Sequence, residues 1–460
     1  MSCLQDFNNK VELESYLVSR VTEPPSHHFF GFHDICAWNH AGDKMAALRV
    51  HVIDRPPTGH DVAEAGFVDE TTGEFVPLLE TTAFNFPQGA RQLWTPAGGF
   101  WVNARVDDHW GAVRVAEGGQ KLLTVDQALY AISSDGTTGW GLNFARLNRL
   151  AGYGYVGLPD ATAAEAAPES DGIWEIDLAT GAIRLLLSIS DVATAASGQI
   201  GDGHHYLTHL VPSPSNHRLL FLHRYWLKDG GLHHRLMSVR SDGTDLSCHA
   251  EGFLSHFDWR DDGRVIIWGR TGATVDRLRR HPLLQLPGIA PLARAAKRVV
   301  RRATGGAQGM QMYFLEVDIE TDSAVPIWPE ILQEDGHPMF CPADRDWMIV
   351  DTYPDPHGVR ELNLLNVLTG ELVSLGRYPM LNARPDTSRL AATLEHVDPR
   401  LYKSIGAEQL AFWRSGLHCD LHPRWKADGT AACIDSIHEG TRQMYRVDTT
   451  SIINEQCKAP

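Results

Sequence analysis

The sequence lacks most of the features that would assign a chain to a class at sight. It has no run of about 18 uncharged apolar residues, so no membrane-spanning helix is expected. Its amino terminus, MSCLQDFNNKVELESYL, has no basic region leading into an apolar stretch, which argues against a secretory signal. Cysteine is scarce: seven residues, an odd number without framework spacing, suit a reducing cytoplasm better than a disulfide scaffold. Positive charge is in deficit, with 41 Lys and Arg against 57 Asp and Glu and a formal charge of −16. That balance argues against nucleic acid, whose binding depends on neutralising phosphates. There is no Gly-rich phosphate loop, nucleophile elbow or paired-Cys motif. The expectation is a soluble, cytoplasmic protein, 43% apolar and 21% charged, with ample chain to bury a core.

What the chain has is histidine, 23 in all, and repetition. Five times a histidine opens the same phrase of short strand, polar turn and apolar strand, starting at His33, His209, His256, His337 and His422. The stretches from Arg91 to Arg105 and from Ala128 to Phe144 carry the same pattern, making seven units. Most are followed by a second hairpin with an acidic turn, such as FVDETTGEFVPLL or IWEIDLATGAIRLLL. The Asp-Gly and Thr-Gly dipeptides supply the positive φ that tight turns require. Two hairpins per unit predict a four-stranded antiparallel sheet, and seven such sheets predict an all-β, seven-bladed β-propeller. The whole chain, residues 1–460, is expected to form this single domain. The last unit is short, so residues near Val11 to Val21, within an amino-terminal segment of 1–30, are expected to complete it and close the ring.

One stretch breaks the pattern. Between Arg270 and Met312, in the fifth unit, nine Lys or Arg accompany one Asp. A helix is expected around Pro291 to Arg302, with Leu292, Ala295, Ala296, Val299 and Val300 on one side. Such a basic helical insertion suits an acidic membrane surface, a polyanion or a protein partner through residues 290–302. The alternative is a helix packed on the ring with a solvated basic face.

In a propeller the first strand of each unit is innermost and its neighbour runs antiparallel. Residues that start the first strand and end the second therefore share one face of the disc. The first set is His33, His209, His256, His337 and His422. The second includes Arg49, Arg105, Arg224, Asp351, Tyr353, Asp435 and His438, with Asn143 and Arg146 in the third unit. His256, His337 and His422 fall in consecutive units and make a candidate metal site, with Asp258, Asp335 and Asp420 as nearby oxygens and His418 and Cys419 as further donors. His209 beside Arg224 is the pair that proton abstraction next to a carboxylate requires: the base takes the proton and the cation stabilises the developing enediolate. His33 and His205 are candidates for a second acid or base, and Tyr225 or Tyr353 for protonating a leaving oxygen. Trp38, Trp94, Trp226, Trp259 and Trp425 suit sugar stacking or the blade cores. Tyr153 and Tyr155, in the irregular LAGYGYVG, are better candidates for a ligand.

Several phrases are familiar together: HHFFGFHDICAWN, FNFPQGARQLW, LNFARLNRLAGYGY, HLVPSPSNHRLLFLHRYW, SHFDW, DGHPMF and DLHPRWKADG. Across nearly the whole chain the sequence resembles the propeller polysaccharide lyases, the oligogalacturonate and ulvan lyases. It looks closer still to a branch often found among bacterial polysaccharide-biosynthesis proteins. The resemblance implies a pocket for a uronic-acid glycan and a divalent metal, Mn in the pectic enzymes and Zn in the ulvan lyases. A histidine or tyrosine would act as base and an arginine would neutralise the carboxylate. By motif position Arg224 matches the arginine, His209 the base, and His256, His337 and His422 the metal ligands. Arg49, Gln88, Arg91, Arg146, Tyr153, Tyr155 and Tyr353 are the expected substrate-binding residues. Two departures stand out: His33 occupies a place where relatives often have tyrosine, and the glutamine of the pectic enzymes has no counterpart near His422. The expected activity is a carbon–oxygen lyase acting on an anionic oligosaccharide or polysaccharide. The alternatives are a non-catalytic glycan-binding or scaffold propeller, and a hydrolase using the same metal face.

Overall fold

The computed structural model describes residues 17–195, 203–226, 231–271, 311–403 and 405–456. The expected helix at 290–302 lies outside them. The described chain is built of antiparallel sheets formed by consecutive strands. The first sheet is His27–Phe29, Lys44–Val50, Ala63–Asp69 and Phe75–Thr81, and the second is Leu93–Trp94, Phe100–Val106, His109–Val115 and Lys121–Val125. The third is Leu129–Ile132, Thr138–Gly141, Gly172–Asp177 and Ile183–Ser188. The fifth, Met339–Phe340 through Leu372–Pro379, is also four-stranded.

The fourth sheet has seven strands, from His205–Pro212 to Ser323–Pro326. Its long central strand, Ser247–Trp259, explains the number. Ser247 to Gly252 pair with Leu232–Arg240, whereas Gly252 to Trp259 pair with Arg264–Thr271. One strand thus ends one group of four and begins the next. In the sixth sheet Arg424–Trp425, Ala431–Ser436 and Gln443–Asp448 are joined by Val18–Arg20, so the amino-terminal strand completes the last sheet. The arrangement is propeller-like.

Local chemistry makes the hairpins. Asp69 accepts from the N–H groups of Thr71 and Thr72 before Gly73 at φ 71°, and Asp177 does the same for Ala179 and Thr180 before Gly181 at φ 77°. These Asx turns reverse the chain without straining a side chain. The cores between sheets are aromatic and aliphatic, with Trp101, Trp140, Trp347 and Trp425 wholly buried.

Polar clamps join successive sheets. Asn103 of the second sheet bonds both backbone groups of Leu129 in the third, at 2.8 Å each. At the corresponding place, Asp351 of the fifth sheet accepts from His422 N at 3.2 Å, and Asp435 of the sixth accepts from Phe30 N at 3.2 Å. The last of these ties the end of the chain to its beginning. Burial of such groups is tolerable because each is hydrogen-bonded.

Two short helices interrupt the sheets: α1, Phe144–Ala151, and α2, Ile189–Thr194. Between the fifth and sixth sheets a long excursion, residues 380–423, carries three more short helices. Asp386 N donates to Asp54 O, Asp398 N to Arg149 O, and Arg414 to Asn148. The excursion therefore spans from the first sheet to α1.

Candidate functional site

The five repeat histidines meet. The ring of His33 lies 5.3 Å from that of His209, 5.4 Å from His256, 5.5 Å from His337 and 6.2 Å from His422. His256 and His337 are 4.1 Å apart, and His337 and His422 4.4 Å. His33 is the hub, with Phe32 packed against it at 4.4 Å. Local backbone geometry aims some of these side chains. His209 and His422 adopt φ 55° and 45°, and Arg91, which leads the second unit, adopts φ 55°. His209 takes this conformation at the register shift within His205–Pro212, and a left-handed non-glycine residue costs backbone energy that the surrounding structure must offset.

Each outer imidazole is anchored by Nδ1. His256 bonds Asp335 at 3.0 Å, His337 bonds Asp351 at 2.9 Å, and His422 donates to Gly31 O at 2.9 Å. Gly31 is required at that point: its φ is 124°, and a Cβ would stand 2.8 Å from Gln88 O. Anchored this way, the rings of His337 and His422 keep Nε2 for a ligand. Burial, joined by neighbouring charges, lowers the pKa of His33, His209, His337 and His422 well below the ordinary imidazole range. The rings are therefore neutral near pH 7, the state in which they ligate metal or accept a proton.

His337, Asp420 and His422 each offer one atom within 4.8 Å of the others, a donor set of two nitrogens and one carboxylate oxygen. Burial opposes the charge on Asp420, but His418 and the Arg360 guanidinium outweigh it and hold the carboxyl well below the usual range. Two neutral imidazoles and an ionised carboxylate fit a divalent ion such as Mn or Zn. His256, expected in this set, stands beside it with Nδ1 on Asp335.

The residues around the cluster divide into two groups. Arg224 is buried and donates to Tyr153 Oη at 3.0 Å and to Leu254 O at 3.2 Å. Tyr153 in turn stands edge-on to His209 at 6.2 Å, and its carbonyl accepts from Gln88 Nε2 at 2.9 Å. Tyr353 lies 5.7 Å from His337 and 6.0 Å from His256. His33, His209, Arg224, Gln88, Tyr153 and Tyr353 are thus assembled with the metal-capable group.

Several other expected residues are engaged elsewhere. His205 bonds His223 at 2.9 Å and stacks on Tyr225 at 4.9 Å, on the opposite face of the strand from Arg224. Strand alternation separates them: His205 pairs with Tyr225 and Tyr206 with Arg224. Tyr155 is a core residue, stacked on Phe144 at 4.2 Å with its hydroxyl on Asn103. Arg146 is committed to His205 O, Thr162, Glu165 O and Ala166 O, holding the loop after α1. Arg49 forms a two-point pair with Glu64, and Arg91 is sealed in a pair with Asp34 while lying over the Tyr130 ring. Trp38, Trp94, Trp259 and Trp425 are core residues.

Two participants were not anticipated in their roles. Asp420, expected as a neighbouring oxygen, is a member of the convergent set. Arg360, on the third strand of the fifth sheet, donates to Asp420 at 2.6 Å. Its phrase, GVRELNLLN, has no feature that marks a site. A separate Ser238–His249–Asp322 chain, with both links at 2.7 Å, is structural: Ser238 is fully buried and also accepts from Arg218.

The fold is shared with oligogalacturonate lyases. A solved oligogalacturonate lyase from Vibrio parahaemolyticus matches with a TM-score of 0.56, covering 94% of this chain and 93% of its own at 13% identity. A second oligogalacturonate lyase structure, described as in complex with manganese, gives a TM-score of 0.54 over 94% and 92% at 14% identity. At such identities the likeness concerns the fold. No protein-family model and no curated protein sequence matches the chain. No helix among the described residues is long and apolar enough to cross a membrane.

Proposed function

We propose that the protein is a metal-assisted lyase that cleaves a uronic-acid-containing oligosaccharide or polysaccharide by β-elimination. The observation that carries this reading is the meeting of five imidazoles beside the buried Arg224. The ring is read as seven-bladed, with the strand Ser247–Trp259 belonging to two blades. Free thiols at Cys36, Cys248, Cys341, Cys419 and Cys433 support a cytoplasmic setting.

In this reading Arg224 holds the uronate carboxylate, and Tyr153 fixes the guanidinium through its hydroxyl oxygen. Neutral His209 takes the proton from the carbon next to the carboxylate. The Arg224 charge stabilises the enediolate as it forms, which aligned charge in a water-poor site does efficiently. Tyr353 is the proton source for the leaving oxygen. His337, Asp420 and His422 would hold the divalent ion, which supplies Lewis-acid polarisation of the bound sugar acid. His256 and His33 line the space between the base and these ligands. The second reading, a glycan-binding propeller without turnover, is favoured by His33 in the place where relatives often have tyrosine.

The test is incubation of purified, Mn-supplemented protein with a panel of uronate oligosaccharides, followed by ultraviolet absorbance of the unsaturated product. Product formation is expected, and His209→Ala or Arg224→Ala should reduce it by at least about 100-fold with the fold intact. Binding to the panel without new absorbance would favour the binding module. Full activity in both variants would remove His209 and Arg224 from the mechanism.

A further inference from the structure

A cavity of 320 Å³ lies apart from the imidazole cluster. Its walls follow, in the chain, residues of that cluster: Cys36 and Trp38 come after His33, Val211 after His209, and Ala427 after His422. Trp94 of the second sheet and Ile132 of the third complete it. None of the five imidazoles lines it.

The walls are mainly apolar. Trp94 donates its indole N–H to Ala37 O at 2.7 Å, and Trp38 donates to Glu70 at 2.8 Å. With those donors spent, both indoles have only ring surface to offer a ligand. The polar part of the lining is an ion pair. Arg91 donates to the two oxygens of Asp34 at 2.7 and 3.0 Å, and to Tyr130 O. The pair carries no net charge, yet its hydrogen-bonding capacity is not used up. Each carboxylate oxygen of Asp34 has a second lone pair. Arg91, 1% exposed, keeps its Nε without a partner. An apolar enclosure with a few convergent polar groups is the usual make-up of a small-molecule site, and such sites begin at about 300 Å³. A charged ligand would leave water for apolar walls and an ion pair already neutral, which is costly. A hydroxyl both donates and accepts, so it suits Asp34 and Arg91 without that cost.

We propose that this cavity is a second ligand site, and that it takes a small uncharged aromatic compound bearing a hydroxyl group. The ring lies against Trp38 and Trp94, and the hydroxyl meets the Asp34–Arg91 pair. Cys36, an exposed thiol that lines the cavity, is covered when the site is filled. Occupancy requires no metal.

The probe is p-cresol, titrated into the full chain by ligand-observed NMR beside toluene, p-toluate and 4-methylbenzylamine. These keep the ring and change the polar group. p-Cresol should bind with a Kd on the order of 1 mM, with or without Mn. Toluene, lacking the hydrogen bonds, should bind about tenfold more weakly, and the two ions more weakly than p-cresol. At about ten times its Kd, p-cresol should slow iodoacetamide alkylation of Cys36 about tenfold, read by peptide mass mapping at about pH 8.5. Cys36→Phe, which fills the cavity, should lose p-cresol binding and keep Mn binding, whereas Cys36→Ser should keep both. If Cys36→Phe does not fold, the protection of Cys36 in the wild type decides. Absence of p-cresol binding, binding that a folded Cys36→Phe leaves intact, or alkylation indifferent to p-cresol would overturn the site. Binding of p-toluate or 4-methylbenzylamine as tight as that of p-cresol would overturn the uncharged ligand class.

Discussion

Asp435 divides its oxygens between the Phe30 N–H and Arg442, yet burial outweighs these partners and pushes its pKa up to about 7. The folded value lies above the unfolded one, so the fold holds this proton more tightly than the unfolded chain does. The stabilisation is complete below about pH 4, the unfolded carboxylate value. It is lost as pH rises through about 7. Asp435→Asn keeps an acceptor for Phe30 and removes the titration. Between about pH 5 and about pH 8 the fall in Tm should be shallower in the variant, by a few degrees. Parallel thermal curves for the two proteins would show that Asp435 does not titrate in this range. Asp61 has the opposite sign: burial would raise it, but Arg55 and Thr58 outweigh burial and hold it at about 2. Its contribution persists above the ordinary carboxylate value and is lost as pH falls through about 2.

At the scale of elements, α1 decides where the irregular tyrosines go. Asn143 caps its start by accepting from Arg146 N at 2.9 Å, and Gly152 ends it at φ 80°. Gly154 then passes so close to the helix that a Cβ would stand 1.9 Å from Phe144 O. Tyr155 is thereby sent into the core and Tyr153 to Arg224. Gly154→Ala should cost about 1–3 kcal/mol in denaturant unfolding and weaken glycan binding, because Tyr153 must move with the backbone. Unchanged stability would contradict this account of the loop. The same element shows what the sequence could disclose. Repeated phrases disclose the inner strands and the recurring histidines, since equivalent places in a ring share an axis. They do not disclose which face of a strand a neighbour takes: His205 and Tyr225, close in sequence to His209 and Arg224, face away from Arg224. Arg146 and Tyr155 sit where a site residue was expected, but a helix and a packed loop claim them. Arg360 lies on a third strand, outside the two positions that repetition brings to the axis. The part of the excursion before His422, residues 380–421, obeys no repeat and could be located only by its contacts with Asp54, Asn148 and Arg149.

The whole molecule is held by closure. Val18–Arg20 pairs with Gln443–Asp448, the His28 N–H donates to Arg442 O, and Phe30 N donates to Asp435. Contacts between residues so far apart in sequence carry a high entropic cost, but once made they bind both ends of the chain into one sheet. A chain shortened to begin at Thr22 should therefore lose at least about 5 °C in Tm, read by calorimetry. An unaltered Tm would mean that the amino-terminal strand adds nothing to closure.

Closure also brings His337 and His422, each held through Nδ1, to Asp420. Electron spin-echo spectroscopy of the Mn-loaded protein counts the imidazole nitrogens on the ion. Coupling to two nitrogens is expected, reduced to one in His337→Ala and in His422→Ala and unchanged in His205→Ala. Manganese that binds without nitrogen coupling, or coupling indifferent to His337 and His422, would contradict the assignment of this cluster as the metal centre.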